Sequence, residues 1–296
     1  MSRSTVSESH LLHSIALDRL LPRLHRYCAR MVGSALDGED IVQDALLRAI
    51  EAAPPDRPID NPEGWLFRIA HNLALDMLRR RSRMGTSEGE AALELIADPE
   101  DQLARREAAA ATLPTFMHLP ASQRSVVILF DVLDYSAEET SELLGTTVPA
   151  VKSLLQRGRR RLRELARRAP GADRLPALSS AERTLLQRYV DLFNARDFET
   201  LRAMLAADVR LDLVNRLKLQ GPAVGEYFAR YRQNQGWRAW AGRVEGQPAV
   251  LIQQGQRSDE RPDYFVLLGW SADRVATIRD FLFARYVVVD AECGPL

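Results

Sequence analysis

HLPASQRSVVILFDVLDYSAEETSELLGTTVPAVKSLLQRGRRRLREL, residues 118–165, decides the reading of this chain. A first helix carries Val126, Val127, Leu129 and Phe130 on its apolar side. Ser136 with Glu139 three residues later forms a capping box that opens a short second helix, which buries Leu143 and Leu144. Gly145 closes that helix, as a residue tolerant of positive φ does. Thr147 caps a third helix, and Pro149 sits in its first turn, where the missing N–H costs nothing. Val151, Leu154, Leu155 and Leu162 recur at helical spacing, and Lys152, Ser153, Gln156, Arg157, Arg159, Arg160, Arg161 and Arg163 fill the other face. Two helices joined by a glycine turn, the second strongly basic, form a helix-turn-helix. Lys, Arg and Gln side chains reach base edges in the major groove, and the arginines behind them suit phosphates. The rival reading is a solvated, salt-bridged helix of an ordinary bundle. The capped short helix, the glycine turn and the polar N-terminal half of the third helix count against it.

TTVPAVKSLLQRGRRRLREL resembles the −35 recognition helix of bacterial extracytoplasmic-function (ECF) sigma factors. The resemblance implies −35 DNA contacts by Arg124, Lys152, Ser153, Gln156, Arg157 and Arg160.

Upstream, Leu11–Met31 reads as an amphipathic helix with Leu12, Ile15, Leu20, Leu24 and Tyr27 apolar, followed by a turn from Gly33 to Gly38. A second helix places Ile41, Val42, Ala45, Leu46 and Ile50 on one face and Asp40, Gln43, Asp44 and Arg48 on the other. Residues 53–62 are a proline-rich loop, and Asn61 caps a third helix that starts at Pro62. LDGEDIVQDALLRAI resembles the sigma-factor helix that docks on the clamp of RNA polymerase, and NPEGWLFRIAHNLALDMLRRRSR resembles the one that melts and reads the −10 element. The family thereby implies polymerase contacts by Asp40, Gln43, Asp44 and Arg48. It implies −10 contacts by Trp65, Asn72, Arg79 and Arg80, with Asn72 lining the pocket for a flipped base. Two plainer readings stay open: Trp65, at helical spacing with Ile69, as a packing residue, and Asn72 as a solvated one. His71 has no metal partner at suitable spacing and reads as structural or solvent-facing.

Forty basic and forty acidic residues in 296 balance to zero, so the chain is no basic nucleic-acid coat and its charge is local. RRRSR at 79–83 has four arginines in five positions, and residues 157–168 hold seven arginines against one glutamate. Cys28 and Cys293 alone argue against a disulfide framework and for a reducing cytosol. No apolar run approaches the roughly 20 residues that span a bilayer, and no signal-peptide core opens the chain. A cytoplasmic location without membrane insertion is expected.

Residues 84–102 form an acidic linker, read either as a mimic of nucleic acid in the polymerase RNA exit path or as a solvated tether. Residues 103–117 read as one alanine-rich helix, and 169–178 as a second linker. Beyond it, Ser179 and Glu182 make another capping box and open a helix with Leu186, Tyr189, Val190 and Phe193. A turn at 194–197, a short helix with Phe198 and Leu201, and an alternating strand at Val209–Leu213 follow. A helix at Val224–Tyr231 precedes strands at Trp237–Val244, Ala249–Gln254, Tyr264–Trp270, Val275–Phe283 and Ala284–Val289, with Gly246 in a hairpin turn. RYVDLFNARDFETLRAMLAADVRLDL resembles the SnoaL-like domain of polyketide cyclases and ketosteroid isomerases. In that match the catalytic Asp of the isomerases falls on Leu213, with Asp212 facing the other way. Tyr189 matches their oxyanion Tyr, or is simply core.

The expectation is a multidomain protein. An all-α sigma region 2 domain (8–83) and an all-α region 4 domain with the helix-turn-helix (103–168) precede an α+β SnoaL-like cone (179–292). Such a chain binds core RNA polymerase and promoter DNA and opens the DNA without catalytic residues, metal or cofactor of its own. The cone acts in cis, with an anti-sigma factor or small ligand there left open. The alternatives are a helix-turn-helix regulator with a ligand-sensing cone, and a cyclase- or isomerase-type enzyme tethered to DNA.

Overall fold

The computed structural model describes residues 17–53, 59–82, 102–167, 178–233, 236–255, 257 and 261–296. Residues 84–101 and 169–177 of the two linkers, residues 11–16 and most of the proline-rich loop lie outside the described residues. The chain divides into two units, Met1–Ala172 and Asp173–Leu296.

In the first unit α1 spans Leu17–Val32, α2 Ala35–Ala52 and α3 Pro62–Ser82. The turn between α1 and α2 is far shorter than the sequence suggested. Ser34 takes the N-cap and accepts from the Asp37 amide, so Gly38 is already helical, where α2 crosses close to the Ala29 backbone. Asn61 caps α3 as expected, its Oδ1 accepting from the Gly64 amide at 2.8 Å.

The expected helix over 103–117 is two helices, α4 (Gln102–Ala110) and α5 (Leu113–Met117), because Pro114 starts a new first turn there. Next, α6 (Ala121–Val127) widens into a π-helical turn, Ile128–Val132. The capping box at Ser136 and Glu139 opens α7 (Ala137–Leu144), and Gly145 ends it at φ 63°. Thr147 caps α8 (Val148–Ala166) with Pro149 in the first turn. Leu20, Leu24, Tyr27, Phe67, Phe116, Val127, Val151 and Leu162, from both sides of the first linker, belong to one apolar core.

In the second unit the Ser179–Glu182 capping box starts α9 (Ser180–Ala195), and α10 covers Phe198–Ala203. A seven-stranded sheet follows in the order β2-β1-β6-β5-β4-β3-β7. Its strands are β1 (Leu205–Leu213), β2 (Leu217–Gln220), β3 (Trp237–Val244), β4 (Gln247–Gln254), β5 (Tyr264–Ser271), β6 (Arg274–Asp280) and β7 (Cys293–Pro295). All neighbours are antiparallel except β1 and β6. A 3₁₀ turn (Gly221–Glu226) and α11 (Tyr227–Gln233) sit between β2 and β3. This is the expected α+β architecture, helices first and then a largely antiparallel sheet.

The expected strand at Ala284–Val289 is instead a 3₁₀ helix, Arg285–Val289. Both edges of β6 are already occupied by β1 and β5, so the segment after it finds no partner to extend the sheet. It closes on itself through Ala284 N–H to Phe281 O and Val287 N–H to Ala284 O. The short strands β2 and β7, at the two edges, are additions to the sequence reading.

Candidate nucleic-acid interface

The recognition helix α8 is held by what its inner face touches. Val151, Leu155 and Leu162 are buried. Gly158 lies so close to α6 that a Cβ there would fall 2.6 Å from Val127 Cγ2. Arg159, expected on the outer polar face, is instead buried. Its Nε and a terminal nitrogen donate to the two carboxylate oxygens of Asp131 at 3.0 and 2.5 Å, and its guanidinium lies over Phe130. Asp131 sits in the π-helical turn. With the inner side fixed in this way, Lys152 and Arg160 are exposed, while Ser153, Gln156 and Arg157 are half-buried. Gln156→Ala should relax −35 sequence preference at about 1–3 kcal/mol for a lost base contact. Arg160→Ala should weaken all sequences alike and lower the salt slope by about 1. Fluorescence anisotropy with specific and random duplexes at two salt concentrations checks both.

Arg124 does not join this surface. It is 4% exposed, and its guanidinium donates to the carbonyls of Met31, Met117 and Leu119. In this arrangement it bonds α1 to the α5–α6 turn. An arginine at a helix start offers the same sequence signal whether it faces DNA or carbonyls, so the two roles could not be told apart beforehand.

On α2, Asp40, Asp44 and Arg48 are exposed, and Gln43 donates to Glu39 Oε1 at 2.7 Å. Leu47, not singled out from sequence, is 58% exposed beside them. It falls between Asp44 and Arg48 in the sequence and lies outside the 3.6-residue pattern of buried positions. On α3, Asn72, Arg79 and Arg80 are exposed, with Arg79 paired to Asp76 at 3.1 Å. Trp65 is half-buried against the core. His71 Nδ1 and Tyr27 Oη share a hydrogen bond of 2.6 Å, and burial lowers the His71 pKa to about 4, so it is neutral and structural at pH 7. Arg81 spans back to Asp37 at 2.5 Å and to the Val32 carbonyl.

The two helical halves of this unit pack on each other. Arg23 on α1 pairs with Glu63 at 2.7 Å and lies over the Tyr135 ring. Tyr135 Oη donates to the same Glu63 oxygen at 2.6 Å, and its ring meets Phe67 edge-on. Arg68 donates to the Glu142 carbonyl.

A helix-turn-helix with an outward basic face, joined to a second helical bundle that ends in an arginine run, defines a DNA-binding transcription protein. The comparisons specify which kind. Residues 16–84 match the Sigma-70 region 2 family and residues 115–162 match Sigma-70, region 4. Over 287 residues the chain is 30% identical to the ECF RNA polymerase sigma factor SigG of Mycobacterium tuberculosis, covering 86% of this chain and 77% of that one. It is 36% identical over 154 residues to SigM of the same species, covering 51% of this chain and 76% of that one. The crystal structure of M. tuberculosis SigJ, another ECF sigma factor, aligns at 22% identity and TM-score 0.35, covering 89% and 94% of the two chains. The chain belongs to the ECF RNA polymerase sigma factor family: it binds core RNA polymerase and promoter DNA to initiate transcription. No helix among the described residues is long and apolar enough to cross a membrane.

Proposed function

We propose that Asp40, Gln43, Asp44 and Arg48, with exposed Leu47, form the surface that docks on core RNA polymerase. Trp65, Asn72, Arg79 and Arg80 serve the −10 element, and Lys152, Ser153, Gln156, Arg157 and Arg160 serve the −35 element. The chain works in the cytoplasm and leaves catalysis to the polymerase. The region 2 domain (8–83) and region 4 domain (103–168) act as separate modules on DNA, and the C-terminal domain (179–292) modulates them in cis. The observation that carries this reading is the exposed strip of Asp40, Asp44, Leu47 and Arg48 on α2, opposite a face on which Ile41, Val42, Ala45 and Ala49 are buried. Charged groups around an exposed leucine are the composition of a docking patch with a polar rim.

The Asp40→Ala, Asp44→Ala double variant should fold normally and lose core-polymerase pull-down by roughly tenfold or more, the loss of about 1 kcal/mol or more apiece that marks interface hot spots. Unchanged pull-down would remove the site. Ending the chain near residue 176 should alter transcript yield from a cognate promoter, and equal yield would remove the cis-acting role.

A further inference from the structure

The C-terminal unit contains a cavity of about 590 Å³ that promoter recognition does not use. That size falls in the roughly 300–1,000 Å³ range of pockets for drug-sized ligands. Tyr231, Trp237, Gln254, Tyr264, Arg285 and Tyr286 are among its lining residues. The walls are thus mostly aromatic, while three phenol hydroxyls, an amide and a guanidinium supply polar groups.

Behind the wall lies Asp280, a carboxylate fully shielded from solvent. It sits on β6 in register with Leu213 of β1, the position at which the isomerase resemblance had called for a base. One of its oxygens accepts from Tyr227 Oη and Tyr231 Oη, each at 2.7 Å, and the other accepts from the Leu282 amide at 2.8 Å. Tyr264 is hydrogen-bonded in turn to Tyr231. Burial first, and then the Asp280 charge, raise the pKa of Tyr227 and Tyr231 well above that of a free phenol. These hydroxyls therefore remain protonated donors at pH 7. The Tyr231 proton is committed to Asp280, so Tyr264 donates to Tyr231 and offers a guest the lone pairs of its own oxygen. Arg285 lies over the Tyr264 ring at 5.3 Å and is exposed, so it offers a cation beside that hydroxyl.

We propose that this cavity binds a planar, oxygenated aromatic anion. Its ring packs among Trp237, Tyr264 and Tyr286, its hydroxyl donates to the Tyr264 oxygen, and its anionic group meets Arg285. Asp280 is a positioning residue: its oxygens are engaged by Tyr227, Tyr231 and the Leu282 amide, and it orients the tyrosine chain without touching the guest. The site binds and does not turn over, because the strand position suited to a base is the buried, apolar Leu213. The proposal concerns the C-terminal unit alone and stands whether or not the polymerase-docking assignment holds.

The probe is 2-naphthol-6-sulfonate, titrated into the full chain and followed by its own fluorescence, with naphthalene-2-sulfonate as the analogue lacking the hydroxyl. Saturable one-to-one binding of the naphthol is expected. Tyr264→Phe should weaken the naphthol about tenfold and leave the naphthalene unchanged, the signature of one lost hydrogen bond. Arg285→Ala should weaken both probes by a similar factor. Circular dichroism identical to the parent shows that each variant is folded. Absence of saturable binding to the parent chain, or equal affinities across the parent and both folded variants, would overturn the site.

Discussion

Asp131→Ala is expected to destabilise the helical unit by roughly 3–5 kcal/mol, because it leaves the Arg159 guanidinium buried without its counter-charge. The effect should reach function as well as stability. Arg159 is on the recognition helix and Asp131 is in the π-helical turn that follows α6, so this pair helps set how α8 is presented. Specific −35 binding should fall with the loss of helix. Urea unfolding followed by far-ultraviolet circular dichroism measures the first effect, and a loss below about 1 kcal/mol would show the pair to be incidental. The Asp131→Leu, Arg159→Met double variant should recover most of the stability, since a buried pair can be replaced by apolar groups of similar volume at little cost. Recovered stability with −35 binding still lost would locate the specific contribution of the pair in helix orientation.

The Glu63→Ala, Tyr135→Phe double variant should shift the helical unit toward an open form and raise promoter binding. Elements about 25 base pairs apart are separated by roughly 85 Å at ~3.4 Å per step. A compact unit of about 150 residues is only about 40 Å across, from a radius of gyration near 15 Å. The packed arrangement therefore cannot occupy both elements at once, and opening must precede or accompany promoter engagement. Arg23, Glu63 and Tyr135 join the two halves through one shared carboxylate oxygen. Arg23 and Glu63 are each about 40% exposed, so solvent screens part of their attraction. Removing the network should shift the equilibrium by about 1–2 kcal/mol, or roughly 5- to 30-fold. Small-angle scattering should show a larger radius of gyration, and promoter affinity should rise by a similar factor. A variant with unchanged scattering and unchanged affinity would show that these contacts do not limit opening.

Much of this was legible in the chain. Local signals carried the helix boundaries: Ser136 with Glu139, Thr147 with Pro149, Asn61 with Pro62 and Ser179 with Glu182 all cap where the sequence placed them, because a cap depends on residues three or four apart. Long-range partners carried what was missed. Nothing local distinguishes Arg159, which finds Asp131 twenty-eight residues away, from Arg160, which faces outward. The carbonyl contacts of Arg124 were hidden for the same reason. The strand expected at Ala284–Val289 has suitable β-branched residues, and only the occupied edges of β6 exclude it. Asp280 could have been found. It stands two residues after Ile278 in a strand that alternates, so the period of two directs it inward, and an inward carboxylate implies partners. The unmatched polar position was the signal of the tyrosine network.

The most direct test of the central claim is to sequence the 5′ ends of transcripts made on genomic DNA by core RNA polymerase with and without the full chain. The account predicts new starts that appear only when the chain is present. Those starts should share two upstream sequence elements at fixed spacing and vanish with the Asp40→Ala, Asp44→Ala variant. A chain that binds DNA specifically through its helix-turn-helix yet directs no new starts by core polymerase would contradict it.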